Sequence, residues 1–170
     1  GLLSQCTYNK VSGTSVPRDF VELPSQVMEN WAADPEVLKV YARHYKTGQP
    51  IPQELIDKLE NSGHFNQGFV TTEFMAAALL DMAYHTRTTT DPVNPNEFEK
   101  ATLQKIGLIP EITVRYRSPY FQHIFAGGYS SGYYAYTWAE VLDADAFEAF
   151  RETGNIFDPE KAKSFRENIL

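Results

Sequence analysis

The sequence predicts a mainly α-helical protein, with at most a minor extended segment near residues 112–116. Three observations predict it. Apolar residues recur at three- and four-residue spacing through most of the 170 positions. Proline or a short polar residue stands where those periodic runs begin, and glycine stands where several of them end. Strict apolar and polar alternation occurs only from Ile112 to Tyr116.

Taken in order, residues 1–18 mix Ser, Thr, Gly and Pro with short apolar pieces and read as loop. Phe20, Leu23, Val27 and Trp31 then fall on one helical face, with Glu22, Gln26 and Glu29 on another. Pro24 decides where that helix starts, because a proline inside it clashes with the carbonyl four residues back. Asp19 and Glu22 have capping-box spacing, but a helix from Phe20 would bury Pro24 in its interior. Glu22 is thereby left without an obvious structural task.

A second helix is expected from Asp34-Pro35 to about Lys46. A third is expected over 53–61, with Leu55, Ile56 and Leu59 inward. The longest pattern, 65–86, presents Phe69, Thr72, Met75, Ala76, Leu79, Met82 and Ala83 as its buried stripe. Within it Ala76–Ala78 would let another helix approach closely. Residues 87–95 read as a surface loop, Asn96 as the cap of a helix through Lys105, and Ile112–Tyr116 as a strand or an extended connector. Residues 131–152 read as a central helix, with Trp138, Val141, Leu142, Phe147 and Phe150 around much of its circumference. Asp158-Pro159 opens a last one. Without repeats or low-complexity linkers, 1–170 read as one mostly helical unit.

A formal charge of −7, with fifteen scattered Lys and Arg, argues against a nucleic-acid partner. The single Cys6 excludes an internal disulfide framework. No apolar run approaches the roughly 20 residues of a membrane span, and 73–84, the nearest, is interrupted by Glu73 and Asp81. The four histidines at 44, 64, 85 and 123 include no pair at i, i+4 for a metal, and no Gly-x-Ser-x-Gly nucleophile motif is present.

Chemistry concentrates in His123–Tyr136, His-Ile-Phe-Ala-Gly-Gly-Tyr-Ser-Ser-Gly-Tyr-Tyr-Ala-Tyr. A helix beginning near Tyr129 would set Tyr129, Tyr133 and Tyr136 along one stripe, with His123 on the loop side of Gly127 and Gly128. Two readings stay open. One is a flexible loop offering phenol and imidazole hydrogen bonds to a peptide. The other is a tyrosine-rich helix face packed on a neighbour, with His123 a satisfied buried imidazole.

Three segments carry a resemblance: Gly-Leu-Leu-Ser-Gln-Cys at the start, Ser15 to Trp31 with Asp-Phe-Val-Glu-Leu-Pro-Ser-Gln inside it, and Tyr116 to Tyr129. Together they resemble the thimet oligopeptidase family of zinc metallopeptidases, nearest to its bacterial peptidyl-dipeptidase and oligopeptidase A branch. The resemblance implies part of a zincin-like oligopeptidase catalytic domain, cytoplasmic, acting on short peptides. It also implies that the family's His-Glu-x-x-His helix precedes this stretch and that its C-terminal segment follows, so that 1–170 is truncated at both ends and its partner is the missing N-terminal part of the same polypeptide.

By the same similarity Glu22 is the third zinc ligand, a role that suits a carboxylate. Tyr136, then Tyr129, are the donors to the developing oxyanion, and His123 positions the substrate backbone. Gly127 and Gly128 form a hinge, and Tyr133 forms part of the wall. The implied function is release of C-terminal dipeptides; the alternatives are internal cleavage of short peptides or, from another class, a non-catalytic helical peptide-binding module. Arg115 and Arg117 are either cations for a free C-terminal carboxylate or plain solvated neighbours of Tyr116. One zinc ion is expected in the full-length enzyme. This stretch alone is expected to hold none and to cleave nothing.

Overall fold

A computed structural model describes residues 2–170; Gly1, the first residue of the opening motif, lies outside the described residues. Eight α-helices follow in order: α1 Leu23–Ala33, α2 Pro35–Tyr41, α3 Gln53–Ser62, α4 Gln67–His85, α5 Pro95–Lys105, α6 Gln122–Phe125, α7 Ala135–Arg151 and α8 Pro159–Asn168. Single 3-10 turns lie at Asn9–Val11 and Ser118–Tyr120. Among the described residues the only β pairing is an isolated antiparallel bridge between Arg43 and Pro50. The mainly α expectation therefore holds. Ile112–Tyr116 is a connector: Ile112 and Val114 turn inward, but no strand pairs with their backbone. The chain divides into two compact units, one made of the residues up to Ser62 together with Ala135–Leu170, the other of Gly63–Tyr134.

In the first unit, α1 begins at Leu23 and Pro24 occupies its first turn, where a missing N–H costs no helical bond. Glu22 stands at the N-cap position without making a side-chain cap hydrogen bond, so the Asp19–Glu22 capping box does not form. Leu23 and Val27 are buried. The Trp31 ring meets Phe147 and Phe150 edge-on at 4.7 and 4.9 Å, and its indole N–H donates to the Ile156 carbonyl at 2.8 Å. The inward face read from Leu23, Val27 and Trp31 is the face that packs on α7.

Helix α2 stops at Tyr41, short of Lys46. The next backbone bonds run from the His44 N–H to the Gln49 carbonyl at 2.8 Å and from the Gly48 N–H to the His44 carbonyl at 2.8 Å, a turn closed by Gly48 at φ +68°. In α3 only Ile56 is buried; Leu55 and Leu59 stay exposed, contrary to the three-residue face expected. Trp138 and Val141 of α7 are also exposed, so this helix buries Ala135, Ala139 and Phe150 on one side instead of being enclosed. Helix α8 starts as expected, Asp158 Oδ1 accepting from the Lys161 N–H at 2.8 Å.

In the second unit, α4 buries Ala76, Ala77, Ala78, Leu80 and Asp81, while Phe69, Met75, Leu79 and Met82 of the expected stripe remain exposed. The helix is turned so that an aspartate faces inward beside Leu80 and the alanines, and those four apolar side chains do not. Helix α5 is capped two residues earlier than expected: Asn94, not Asn96, accepts the N–H groups of Asn96 and Glu97 at 3.0 and 3.2 Å, which lets Pro95 take the first helical position.

Candidate functional site

The run His123–Tyr136 is not a loop feeding directly into a helix. It contains the single turn α6, then non-helical backbone from Ala126 to Tyr134, and α7 starts only at Ala135. Gly128 at φ +82° and Ser131 at φ +56° both lie in the left-handed region, which stops a helix from propagating through them. Tyr129, Tyr133 and Tyr136 therefore do not share a helical stripe; the correction follows from those two backbone reversals.

What replaces the stripe in the second unit is an aromatic cluster around His123. Its ring lies 4.8 Å from Tyr116, 5.6 Å from Tyr133 and 6.0 Å from Tyr129, centroid to centroid. Tyr133 stacks on Phe74 at 5.1 Å, meets Phe121 edge-on at 4.9 Å, and is only 2% exposed. Burial pushes its phenol up to about 12 against the opposing pull of Arg115, with Tyr116 and Glu73 adding to the rise. The hydroxyl thus stays protonated across the physiological range. His123 and Tyr129 are half-buried and so remain available at the surface of the cluster.

Gly127 is required by contact. A Cβ built there would stand 2.9 Å from the His123 Cα, 3.1 Å from the His123 carbonyl oxygen and 3.2 Å from that of Gln122. The Tyr129 N–H then donates back to the His123 carbonyl at 2.9 Å, and the Ser130 hydroxyl to the Ile124 carbonyl at 2.6 Å, folding the run over its own start.

Two buried carboxylates that pattern reading did not single out hold the two ends of this segment. Asp81 Oδ1 accepts from the Ser131 N–H at 3.0 Å, and Oδ2 accepts from the Tyr133 N–H at 2.9 Å. His85, one turn on, brings Nδ1 to 2.7 Å from Oδ1. At the other end Glu99 pairs with Arg117 and accepts the Ser118 N–H at 2.7 Å. Arg117 is thus engaged in structure, whereas Arg115 lies 6.0 Å over the Tyr116 ring. A signal existed in the sequence: an aspartate inside an apolar helical run, followed at i+4 by a histidine, is a buried pair waiting for donors.

In the first unit Glu22 and Tyr136 are carried on packed helices. Glu22 is half-buried, and its Oε2 accepts from the Ser25 hydroxyl at 2.7 Å. One turn further along α1, the Gln26 amide donates to the Tyr136 carbonyl at 3.1 Å, and Asn30 donates to Asp143 at 3.2 Å. An open cavity of about 870 Å³ lies beside Phe20, Pro24 and Ser25, and one of about 530 Å³ beside Gln26, Glu29 and Asp143; neither is lined by Glu22 or Tyr136. Among the described residues no three His, Cys, Asp or Glu side chains gather as a metal site.

The sequence matches Peptidase family M3 over residues 1–170. The chain belongs to this family. It is 44% identical over 172 residues to the dipeptidyl carboxypeptidase of Escherichia coli (strain K12), covering 100% of this chain and 25% of that protein. It is 42% identical over 167 residues to oligopeptidase A of Salmonella typhimurium, 94% of this chain and 24% of the relative. It is 39% identical over 158 residues to the organellar oligopeptidase A of Arabidopsis thaliana, 89% of this chain and 20% of the relative. The M3 chain thus spans about a quarter of the length of the first two of these relatives. The resemblance drawn from the sequence is borne out. No helix of the described M3 chain is long and apolar enough to cross a membrane.

Proposed function

We propose that residues 1–170 form part of the catalytic domain of a zinc-dependent peptidase that releases C-terminal dipeptides from short peptides in the cytoplasm. The observation that carries the proposal is the tie between α1 and α7. The helix that opens with Glu22 reaches, one turn later, the backbone of Tyr136, so a carboxylate suited to a metal and a phenol suited to an oxyanion belong to one packed pair. Glu22 fits a catalytic zinc as a single oxygen ligand. By the resemblance, the remaining ligands are assigned to a His-Glu-x-x-His helix in a preceding part of the polypeptide. By itself, this stretch is proposed to hold no stoichiometric zinc and to cleave no peptide.

Zinc, when bound, supplies Lewis acidity toward the scissile carbonyl and acidifies the attacking water. The chain's own residues do the rest. The Tyr136 phenol donates a hydrogen bond to the oxygen on which negative charge develops, with Tyr129 as a second donor. The His123 imidazole, held among Tyr116, Tyr129 and Tyr133, orients the substrate backbone. Tyr133, buried and protonated, keeps that ring in place and forms the wall behind it. Gly127 and Gly128 are proposed as the hinge that lets Tyr129 adjust to a bound peptide.

Relatives named oligopeptidase A favour a second reading, internal cleavage of short peptides. Peptides with free and with amidated C-termini, given to the full-length polypeptide, separate the two: a dipeptide-releasing enzyme rejects the amides. The proposal is tested by Glu22→Gln in the full-length polypeptide, which is expected to lose bound zinc and activity together. One zinc per chain and unaltered turnover in that variant would remove Glu22 from the metal site; a full-length protein with no peptidase activity at all would leave the non-catalytic binding module.

A further inference from the structure

Asp81 is 1% exposed and lies in the last turns of the longest helix, whose other inward residues are alanines and a leucine. A carboxylate that deep persists only where its lone pairs are filled. Three donors fill them, and two are main-chain N–H groups about fifty residues away, at Ser131 and Tyr133. The third is His85.

The segment those amides belong to is also held by the Tyr129 N–H on the His123 carbonyl, the Ser130 hydroxyl on the Ile124 carbonyl and the packing of Tyr133 on Phe74 and Phe121. It lies outside helix and strand, and Ser131, a residue with a Cβ, is held in the left-handed region. A single internal backbone bond, from the Gly132 N–H to the Tyr129 carbonyl at 2.8 Å, spans the turn. Asp81 reaches across it on the Tyr133 side, gripping two amides with its two oxygens, and so sets both the direction of the turn and the depth to which Tyr133 is drawn in. Tyr133 touches His123, and Tyr129 begins the same turn.

We infer that Asp81 is a positioning residue of the peptide-cleaving site: its carboxylate holds the turn 129–133 in the conformation that aims Tyr129 and seats His123 over the substrate. The inference rests on the functional proposal above. Asp81 does not touch substrate; it acts through the backbone that presents the groups that do. Misplacing such groups by about an ångström is enough for a hundredfold loss. The loss falls on interactions made in the transition state and not on uniform binding.

The test uses the full-length, zinc-loaded polypeptide and compares wild type with Asp81→Asn, which keeps the side-chain shape but turns one acceptor into a donor facing a backbone N–H. Expected are a fall in kcat of about 10- to 100-fold, a KM within about threefold, and one zinc per chain. The affinity for a phosphinic peptide, a tetrahedral analogue, should fall by the same factor as kcat/KM, and amide exchange should accelerate across 129–133. A variant whose exchange accelerates while kcat and analogue affinity stay at wild-type values overturns the inference, as does a loss expressed only in zinc content. If Asp81→Asn does not fold, His85→Ala, at a half-buried position, leaves the two amide bonds but removes the third donor. It is expected to lower kcat and analogue affinity severalfold in step, and wild-type values for both overturn the inference. A wild-type protein without peptidase activity would instead refute the functional proposal itself, so the two failures are distinct.

Discussion

Replacing Gly127 by alanine places a methyl group against main chain that cannot step aside. The new Cβ would stand 2.9 Å from the His123 Cα. An ordinary carbon contact is about 3.5–4.0 Å, so the shortfall is roughly 0.6–1.1 Å. The other two neighbours, at 3.1 and 3.2 Å, are the carbonyl oxygens of His123 and Gln122, and both are already committed. The first accepts from the Tyr129 N–H at 2.9 Å, the second from the Ala126 and Gly127 N–H groups at 2.8 and 2.7 Å. Relief therefore requires moving His123 itself. The local cost is about 1–3 kcal/mol, the usual range for overpacking, and kcat/KM should fall about tenfold or more as the imidazole is displaced. Gly68 in α4 provides the control, because a Cβ there meets nothing within 4 Å; Gly68→Ala should stabilise by about 0.5 kcal/mol with activity unchanged. The assay is kcat/KM for an internally quenched peptide, together with amide exchange over 122–129, on the full-length polypeptide. Wild-type exchange and wild-type kcat/KM in Gly127→Ala would refute the reasoning.

In the full-length enzyme, Tyr136→Phe should lower kcat by about 10²-fold or more with zinc content unchanged, the scale of a lost oxyanion donor; near wild-type turnover would take Tyr136 out of the mechanism. Glu99→Gln removes the charge that pairs with Arg117; because Arg117 is 44% exposed and can be solvated, the expected destabilisation is only about 1–3 kcal/mol. Thermal unfolding measures it, and faster exchange at the Ser118 amide should accompany it. For Tyr133 the phenol pKa lies above its unfolded value of 10, at about 12. Its contribution to stability is therefore complete below pH 10 and declines as pH rises from there through 12. The ultraviolet titration difference between wild type and Tyr133→Phe should show a phenol ionising near pH 12, and one ionising near pH 10 would contradict the burial.

The helices were legible because their signals are local. Pro24, Pro35 and Pro159 each stand in the first turn of a helix, and Gly48 and Gly107 close turns at positive φ. Elimination showed only that Pro24 leaves Glu22 without a capping role; its assignment to a metal came from the resemblance. The inward face of α4 was not. A rule that sends large apolar side chains inward and charges outward assigns Asp81 to solvent, and only the partners at 131 and 133, invisible to a periodicity of 3.6, reverse that assignment. The start of α7 was misread for a related reason: tyrosines at i, i+4 and i+7 look helical until Ser131 takes a positive φ, which is stabilised by a carboxylate elsewhere in the chain.

The same anchors bound the stretch that is expected to move. Glu99 fixes the backbone at Ser118, Asp81 fixes it at Ser131 and Tyr133, and α6 occupies Gln122–Phe125 between them. Between them Ala126–Ser130, which contains Gly127, Gly128 and Tyr129, is held by hydrogen bonds to the short helix just before it. For Tyr129 to swing toward a peptide, the bonds from its N–H to the His123 carbonyl and from the Ser130 hydroxyl to the Ile124 carbonyl have to open. At about 0.5–1.5 kcal/mol each, a bound peptide that offers one or two new hydrogen bonds offsets them. A closure confined to five residues between fixed ends moves one phenol without disturbing the ring cluster behind it, so substrate binding should alter exchange at 126–130 and leave 131–133 protected. Equal changes in both segments would mean that the Asp81 anchor yields with the loop.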